Sequence, residues 1–164
     1  MFLRFLSHLT KCRAGYLTAI IMIIADQFSK LLIIEYLMIP PRIIYINEYF
    51  NLVLTWNNGI SFGLFNNDGK FNALVISVIG IGIILFLIGL LSRAETKKLK
   101  IGLGLIIGGA IGNIIDRGIY GAVMDFLDIH IGNYHWPAFN IADSCITIGA
   151  IILVIDSLFS QKQN

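Results

Sequence analysis

Charged residues are scarce in this 164-residue sequence, since Asp, Glu, Lys and Arg together make up only 13% of it. Soluble domains carry about 25% charged residues, whereas this chain is 57% hydrophobic with a mean hydropathy of +0.81. A single core of this size cannot enclose so much apolar surface. The composition argues against a soluble enzyme and a disordered tail, and it predicts one integral membrane domain spanning residues 1–164.

Net charge and cysteine are also low. The formal net charge of +2 is too small for a phosphate-binding surface, so no nucleic-acid partner is expected. Cys12 and Cys145 lie far apart in apolar surroundings, which gives no indication of a disulfide framework. No set of metal ligands is evident, and we expect neither a metal nor another cofactor.

Long apolar stretches are abundant. A membrane-spanning helix needs about 20 mostly apolar residues, and four such stretches occur, at residues 15–38, 71–91, 99–119 and 139–159. The first is followed by no small-residue cleavage site, so we expect it to remain as a helix. Residues 39–70 and 120–138 contain alternating, aromatic-rich runs that are typical of strands. The predicted fold is mainly α, with four transmembrane helices and a small extracytoplasmic β-sheet cradle.

Basic residues predict the orientation. Cytoplasmic loops carry an excess of Lys and Arg. The N-terminal segment, the loop at residues 92–100 and the C-terminal tail hold eight of the twelve Lys and Arg residues, whereas the two other connections hold only Arg42 and Lys70. Both termini are therefore expected to face the cytoplasm.

Polar residues converge on the outer side of the predicted bundle. Ionisable groups at membrane depth cost about 2.5–3.5 kcal/mol each, so they must be paired or useful. In this topology the outer halves of the helices hold Lys30, Asn113, Asp116, Arg117, Asn140 and Asp143. The inner halves are nearly pure Ile, Leu and Gly, except for Asp156 near the cytoplasmic end. This one-sided distribution argues against an ion-coupled transporter, while an assembly factor whose acids serve only packing remains open.

Two pairs of opposite charge have a structural and a functional interpretation. Asp26 and Lys30 are spaced i, i+4 with the acid first, the favourable order for a helical ion pair. They either lock the first helix against its neighbours or contact the substrate. Asp116 and Arg117 either form a simple helix-end pair or belong to a site.

Asp125 and Asp143 are the candidate catalytic pair. Asp125 follows the third helix among apolar neighbours, and Asp143 lies in the first turn of the fourth, with Asn140 as its N-cap. Two carboxyl groups brought together cannot both ionise, so one stays protonated near neutral pH. The ionised group can draw a proton from water while the protonated group polarises a scissile carbonyl. We assign Asp143 mainly as the base and Asp125 mainly as the acid, although the pair titrates jointly.

Five motifs follow one another along residues 26–144. They are Asp26-Gln27-x-x-Lys30, Asn57-x-Gly59 with Phe62, Gly108-Gly109-Ala110-x-Gly112-Asn113-x-x-Asp116-Arg117, Val123-x-Asp125-Phe126, and Pro137-Ala138-Phe139-Asn140-x-Ala142-Asp143-Ser144. In this order they resemble the motifs of lipoprotein signal peptidase, the bacterial type II signal peptidase.

The resemblance implies an aspartic endopeptidase of the bacterial cytoplasmic membrane, sensitive to globomycin. Such an enzyme removes signal peptides from prolipoproteins, cutting before a cysteine that already carries diacylglyceryl, and its partners are that substrate and membrane lipid. Asp125 and Asp143 would be catalytic. Asn57, Gly59, Asn113, Arg117 and Asn140 would bind or brace the substrate, and Asp26, Lys30 and Asp116 would support the structure. We expect a monomer.

Overall fold

The computed structural model of the chain describes residues 2–59 and 69–160. Its long helices are α1 (Phe2–Leu32), α2 (Gly69–Arg93), α3 (Lys97–Tyr120) and α4 (Ile141–Ser160), and one turn of π-helix (Ile33–Leu37) continues α1. All four contain a segment that is long and apolar enough to cross a membrane.

Two helix starts differ from the sequence-based prediction. α1 begins at Phe2, well before residue 15, because residues 2–14 contain neither glycine nor proline to interrupt it. α4 begins at Ile141, two residues later than predicted. Phe139 is held instead by two backbone hydrogen bonds to Leu127, of 2.8 and 3.1 Å, and so continues the sheet up to the helix cap.

Helix α3 lies at the centre of the bundle, and its glycines allow close contact with both neighbours. A Cβ atom on Gly108 would lie 2.7 Å from the carbonyl oxygen of Ala19 in α1. A Cβ atom on Gly109 would lie even closer to the carbonyl oxygen of Ala142 in α4. These glycines therefore serve helix packing, since any side chain here would separate the helices.

A four-stranded antiparallel sheet covers one end of the bundle. Its strands are β1 (Ile44–Asn47), β2 (Phe50–Asn57), β3 (Val123–Ile131) and β4 (Tyr134–His135), in that spatial order. β3 follows α3 directly, because Gly121 adopts a φ of 76° that ends the helix and turns the chain. The predicted combination of membrane helices and a small sheet is confirmed.

Apolar side chains form two buried clusters. One joins α1, α2 and α3 and includes Cys12, Leu91 and Leu103. The other lies between the end of α1 and the sheet and includes Met38 and Met124. Apart from Asp156, the polar residues that the sequence singled out lie where β2 and β3 meet the ends of α1, α3 and α4.

Candidate active site

Asp125 and Asp143 approach the site from different elements. Asp125 lies on β3 and is only 2% exposed, whereas Asp143 lies half-buried in the first turn of α4. The intervening hairpin returns the chain along β3, and the Phe139–Leu127 bridge closes it. Residues eighteen positions apart in the sequence are thereby brought into one hydrogen-bonded network.

Asn140 caps α4 and links the two acids. Its Oδ1 accepts the backbone N–H of Asp143 at 2.9 Å, and the Asp143 carboxylate accepts the backbone N–H of Asn140 at 3.3 Å. This reciprocal arrangement is a capping box. The side-chain amide of Asn140 donates to Asp125 Oδ1 at 2.8 Å. The predicted N-cap is therefore also the side chain that contacts both carboxyl-bearing residues.

Asn113 completes the connection from α3. Its Nδ2 donates to Asp143 Oδ1 at 2.8 Å, and its Oδ1 accepts from Asn140 Nδ2 at 3.2 Å. Each carboxylate thus accepts a hydrogen bond from a neutral amide, so the groups that link the two carboxylates carry no charge.

Asn57 holds Asp125 from β2. Its Nδ2 donates to Asp125 Oδ2 at 3.0 Å, while its Oδ1 accepts the backbone N–H of Gly59 at 2.8 Å. Asn57 pairs with Val123 across the two strands, so Asp125 is its diagonal neighbour on the same face. Gly59 has a φ of 83°, a conformation that favours glycine, and its bond directs the NH₂ group of Asn57 towards Asp125.

Arg117 supplies positive charge beside this network. Its Nη1 donates to the carbonyl oxygen of Asn113 at 3.3 Å, and its Nη2 lies 3.5 Å from where a Cβ on Gly59 would be. The guanidinium interacts electrostatically with the carboxylates of Asp143, Asp116 and Asp125. Within the described residues its Nε is buried without a hydrogen-bond partner.

Lys30 joins two further carboxylates beneath the pair. Its Nζ lies 2.8 Å from Asp26 Oδ2 and 2.7 Å from Asp116 Oδ2, and all three residues are buried. The predicted Asp26–Lys30 pair therefore forms, and Asp116 turns towards Lys30 instead of pairing with Arg117. Gln27, whose role was not predicted from the sequence, donates to Asp116 Oδ1 at 2.9 Å and to Asp26 Oδ2 at 3.2 Å. The position of this polar residue directly after Asp26, in a mainly apolar helix, was the sequence feature that could have indicated its role.

The surroundings of Asp125 change its acidity. Burial, and to a smaller extent the negative charge of Asp143, raises the pKa of Asp125 to about 6. The hydrogen bonds from Asn57 and Asn140 act in the opposite direction, because they stabilise the ionised form. The carboxyl group of Asp125 thus holds its proton at a higher pH than an ordinary aspartate.

A second buried acid on β3 belongs to a separate cluster. Asp128 accepts hydrogen bonds from His135 Nδ1 at 2.8 Å and from Asn51 Nδ2 at 3.0 Å. These bonds outweigh its burial and lower the pKa of Asp128. The rings of His130 and His135 stack with their centroids 4.8 Å apart. This cluster fixes the β3–β4 hairpin and touches neither Asp125 nor Asp143 through a described hydrogen bond.

The remaining sequence candidates lie elsewhere or are already engaged. The hydroxyl of Ser144 donates to the carbonyl oxygen of Asn140, and Lys30 is held by two acids, so both side chains are engaged away from the Asp125–Asp143 pair. Asp156 lines a cavity with Lys98 near the other end of the bundle. Phe62 lies outside the described residues. Across residues 2–59 and 69–160, no group of three or more His, Cys, Asp or Glu side chains is placed to hold a metal ion.

The fold and the site together define a class of protein. It is a small four-helix membrane protein in which two aspartates are linked through asparagines at one end of the bundle. The model of the family described as Signal peptidase (SPase) II matches residues 18–159. Lipoprotein signal peptidase of Francisella tularensis subsp. novicida is 42% identical, covering 91% of this chain and 94% of that protein. The same enzyme of Janthinobacterium sp. (strain Marseille) is 43% identical over 85% of each chain.

Solved structures show the same architecture. A bacterial membrane enzyme determined by the in meso method at 2.3 Å resolution matches with a TM-score of 0.77 and 29% identity, covering 92% of this chain and 90% of that one. A second, determined at 1.9 Å, has the same TM-score and 30% identity. The chain belongs to the signal peptidase II family, and it is a bacterial membrane protein.

Proposed function

We propose that this protein is a membrane aspartic endopeptidase that removes signal peptides from diacylglyceryl-modified prolipoproteins. It cuts before the lipid-modified cysteine, and the Asp125–Asp143 pair activates the attacking water. The observation that carries the proposal is the amide network in which Asn140 contacts both acids. Membership of the family supports the substrate class, because the relatives are named lipoprotein signal peptidases.

The environments of the two acids support different roles. Asp125 is almost fully buried and its pKa is raised to about 6, which suits the group that keeps the proton. Asp143 is half-buried in the first turn of α4, where the helix dipole favours an anion. Asp143 therefore acts mainly as the base and Asp125 mainly as the acid.

The reaction proceeds by direct hydrolysis. Asp143 takes a proton from water, and the water oxygen bonds to the scissile carbonyl carbon while Asp125 donates its proton to the carbonyl oxygen. The tetrahedral intermediate then breaks its C–N bond. The cysteine nitrogen takes the proton held by Asp143, and the hydroxyl formed on the intermediate returns a proton to Asp125. The signal peptide leaves with a new carboxyl group, and neither a covalent enzyme intermediate nor a cofactor takes part.

The neighbouring polar residues bind and orient the reacting groups. Asn57, Asn113 and Asn140 hold the carboxylates by donating to them. Arg117 and Gly59 lie together at the edge of the network, where they line the approach of the peptide. Asp26, Lys30 and Asp116 support the site from beneath.

The lipid part of the substrate fits the apolar surroundings of Asp143. A cavity of about 580 Å³ adjoins this residue and is lined mainly by apolar side chains, among them Trp136, Phe139 and Ile148. An acyl chain entering from the bilayer can lie there without exposing its surface to water. We place the site at the extracytoplasmic face with both termini in the cytoplasm, and the enzyme acts as a monomer in contact with membrane lipid.

Asparagine substitutions test the catalytic pair. Asp125→Asn and Asp143→Asn each remove an ionisable group but keep its size, so each should reduce cleavage of a purified diacylglyceryl-modified prolipoprotein at least about 1,000-fold. Cleavage is followed by gel shift, and thermal unfolding in detergent reports whether the variants fold.

Asp156→Asn is the matched control, since it removes a carboxylate at the opposite end of α4 and should leave the rate unchanged. Near-parental cleavage by either site variant would disprove the pair. Absence of cleavage by the parental protein, folded and with this substrate, would disprove the assigned reaction.

A further inference from the structure

Lys30 lies between two carboxylates from different helices. Its Nζ contacts Asp26 Oδ2 at 2.8 Å and Asp116 Oδ2 at 2.7 Å. Lys30 is 3% exposed and the two acids are 0% and 1% exposed, so water does not screen these contacts. Gln27 adds a neutral link, because its side-chain amide donates to both acids.

Each of the two acids also accepts a hydrogen bond from a backbone N–H group, and both N–H groups lie next to a candidate catalytic aspartate in the chain. Asp116 Oδ2 accepts the N–H of Met124 at 3.1 Å, and Asp26 Oδ1 accepts the N–H of Ala142 at 3.0 Å. Met124 immediately precedes Asp125, and Ala142 immediately precedes Asp143. The same cation is thus connected, through one carboxylate on each side, to the peptide segments that carry the two aspartates.

We propose that Asp26, Lys30 and Asp116 are positioning residues that set the separation of Asp125 and Asp143, and that Gln27 reinforces them. This inference rests on the proposed function, because it concerns the same pair of acids. None of the four residues contacts the substrate. They act by holding the two backbone segments at a defined distance.

The pattern of bonds distinguishes positioning from simple helix packing. A buried ion pair is weak support for stability, because removing charges from water offsets most of their attraction. Helix packing alone would be satisfied by apolar contacts between α1 and α3. The N–H of Ala142 lies in the first turn of α4, where amides lack an acceptor within the helix, and Asp26 supplies that acceptor from another helix.

The connection has a catalytic consequence because proton sharing depends on distance. A displacement of about 1 Å at a reacting group can cost about 100-fold in rate. β3 and α4 are otherwise joined by a hairpin and by the side chains of the site itself. The buried Lys30 contacts provide a second restraint from beneath, which remains when substrate enters and water is displaced.

Asp26→Asn and Asp116→Asn test the proposal. An asparagine has one accepting oxygen where each carboxylate uses two, so its NH₂ group faces a donor, and it lacks the negative charge that holds Lys30. The restraint on the adjacent backbone segment is therefore weakened in each variant. We expect kcat for the diacylglyceryl-modified prolipoprotein to fall about 10- to 100-fold in each variant, with KM changed less than about twofold. Lys30→Met is avoided because it leaves two buried carboxylates unpaired.

Hydrogen–deuterium exchange supplies a readout that a merely structural role would not move. Asp116→Asn should accelerate exchange in the peptide that contains Met124, and Asp26→Asn should accelerate it in the peptide that contains Ala142. Each variant should have the smaller effect on the other peptide. A general loss of stability would accelerate both equally and would contradict the proposal.

Asp128→Asn is the matched control. It removes another buried β3 carboxylate, only three residues from Asp125, whose partners are His135 and Asn51. Its kcat should equal that of the parent. An equal loss in this variant would contradict the proposal, because any buried acid would then have the same effect.

Gln27→Met covers the case in which both asparagine variants fail to fold. It removes the neutral link and leaves both ion pairs, so kcat should fall several-fold with KM retained. If the parent cleaves and the folded variants retain its kcat, the positioning role is wrong while the proposed function stands. If the folded parent does not cleave, the proposed function fails, and the exchange pattern decides whether these residues hold the two segments.

Discussion

Asn57 shows how single residues adjust the acidity of the candidate site. Its Nδ2 donates to Asp125 and its Oδ1 is occupied by the N–H of Gly59, so the amide cannot turn over without losing both bonds. Donation to the carboxylate favours its ionised form, and this opposes the effect of burial on the pKa of Asp125. The balance places that pKa at about 6.

Asn57→Leu should move the pH dependence of cleavage. If Asp125 acts as the acid, the rate falls as pH rises through the pKa of Asp125. Loss of the Asn57 hydrogen bond raises this pKa, so the falling limb of kcat/KM should move to higher pH by about 0.5 to 1 unit. The measurement is a pH–rate profile of each purified enzyme.

Asn51→Leu provides the control for that profile. Asn51 also lies on β2 and donates in the same manner to a β3 carboxylate, that of Asp128. Its substitution should leave the limb in place. A limb that stays fixed or moves to lower pH in Asn57→Leu would show that Asn57 does not govern the acid.

At the scale of elements, the contact between α1 and α3 determines where the buried acids lie. Gly108 places the backbones of the two helices in contact, and one turn further along Gly112 lies against the carboxylate of Asp26. The approach of these helices therefore brings Lys30 within reach of Asp116.

Gly108→Ala should destabilise the bundle by about 1 to 3 kcal/mol. The new Cβ would lie 2.7 Å from the oxygen and 2.9 Å from the Cα of Ala19, and backbone atoms cannot move aside as a flexible side chain can. Thermal unfolding in detergent measures the loss. Gly118→Ala on the same helix is the control, since nothing in the described structure lies within 4 Å of its Cβ position. A Gly108→Ala variant as stable as the control would contradict the packing argument.

At the scale of the whole molecule, the charged loops and the sheet lie at opposite ends of the bundle. Lys98 is exposed near the start of α3, and Asn133 is exposed in the β3–β4 turn. The native Cys12 and Cys145 are both buried, so they should react slowly with thiol reagents.

Cysteine labelling tests the orientation. A membrane-impermeant maleimide added to intact spheroplasts should label Asn133→Cys but not Lys98→Cys, because the proposed topology, based on the excess of basic residues, places the Lys98 loop in the cytoplasm. Permeabilised cells should label both variants, which controls for reactivity. Labelling of Lys98→Cys alone in intact spheroplasts would reverse the assigned topology.

Much of this arrangement was predictable from local sequence. The helices, the strand segments and the i, i+4 pair of Asp26 and Lys30 depend on runs and spacings within a single element. The partners of Asp116 were not predictable. Asp116 and Arg117 are adjacent and of opposite charge, which indicates a pair, but consecutive residues point in different directions on a helix. The start of α4 was misplaced for a similar reason, since Phe139 is held by a distant strand.

The sequence by itself determined the membrane character, the number of spanning helices and the residue types available for acid–base chemistry. Apolar length and charge are local properties, and they decide how each segment partitions between water and lipid. Only the tertiary structure decided that Asp26 holds the amide before Asp143 and that Asp116 holds the amide before Asp125. These contacts form only when separate helices pack against each other. The sequence of a single segment therefore does not determine them.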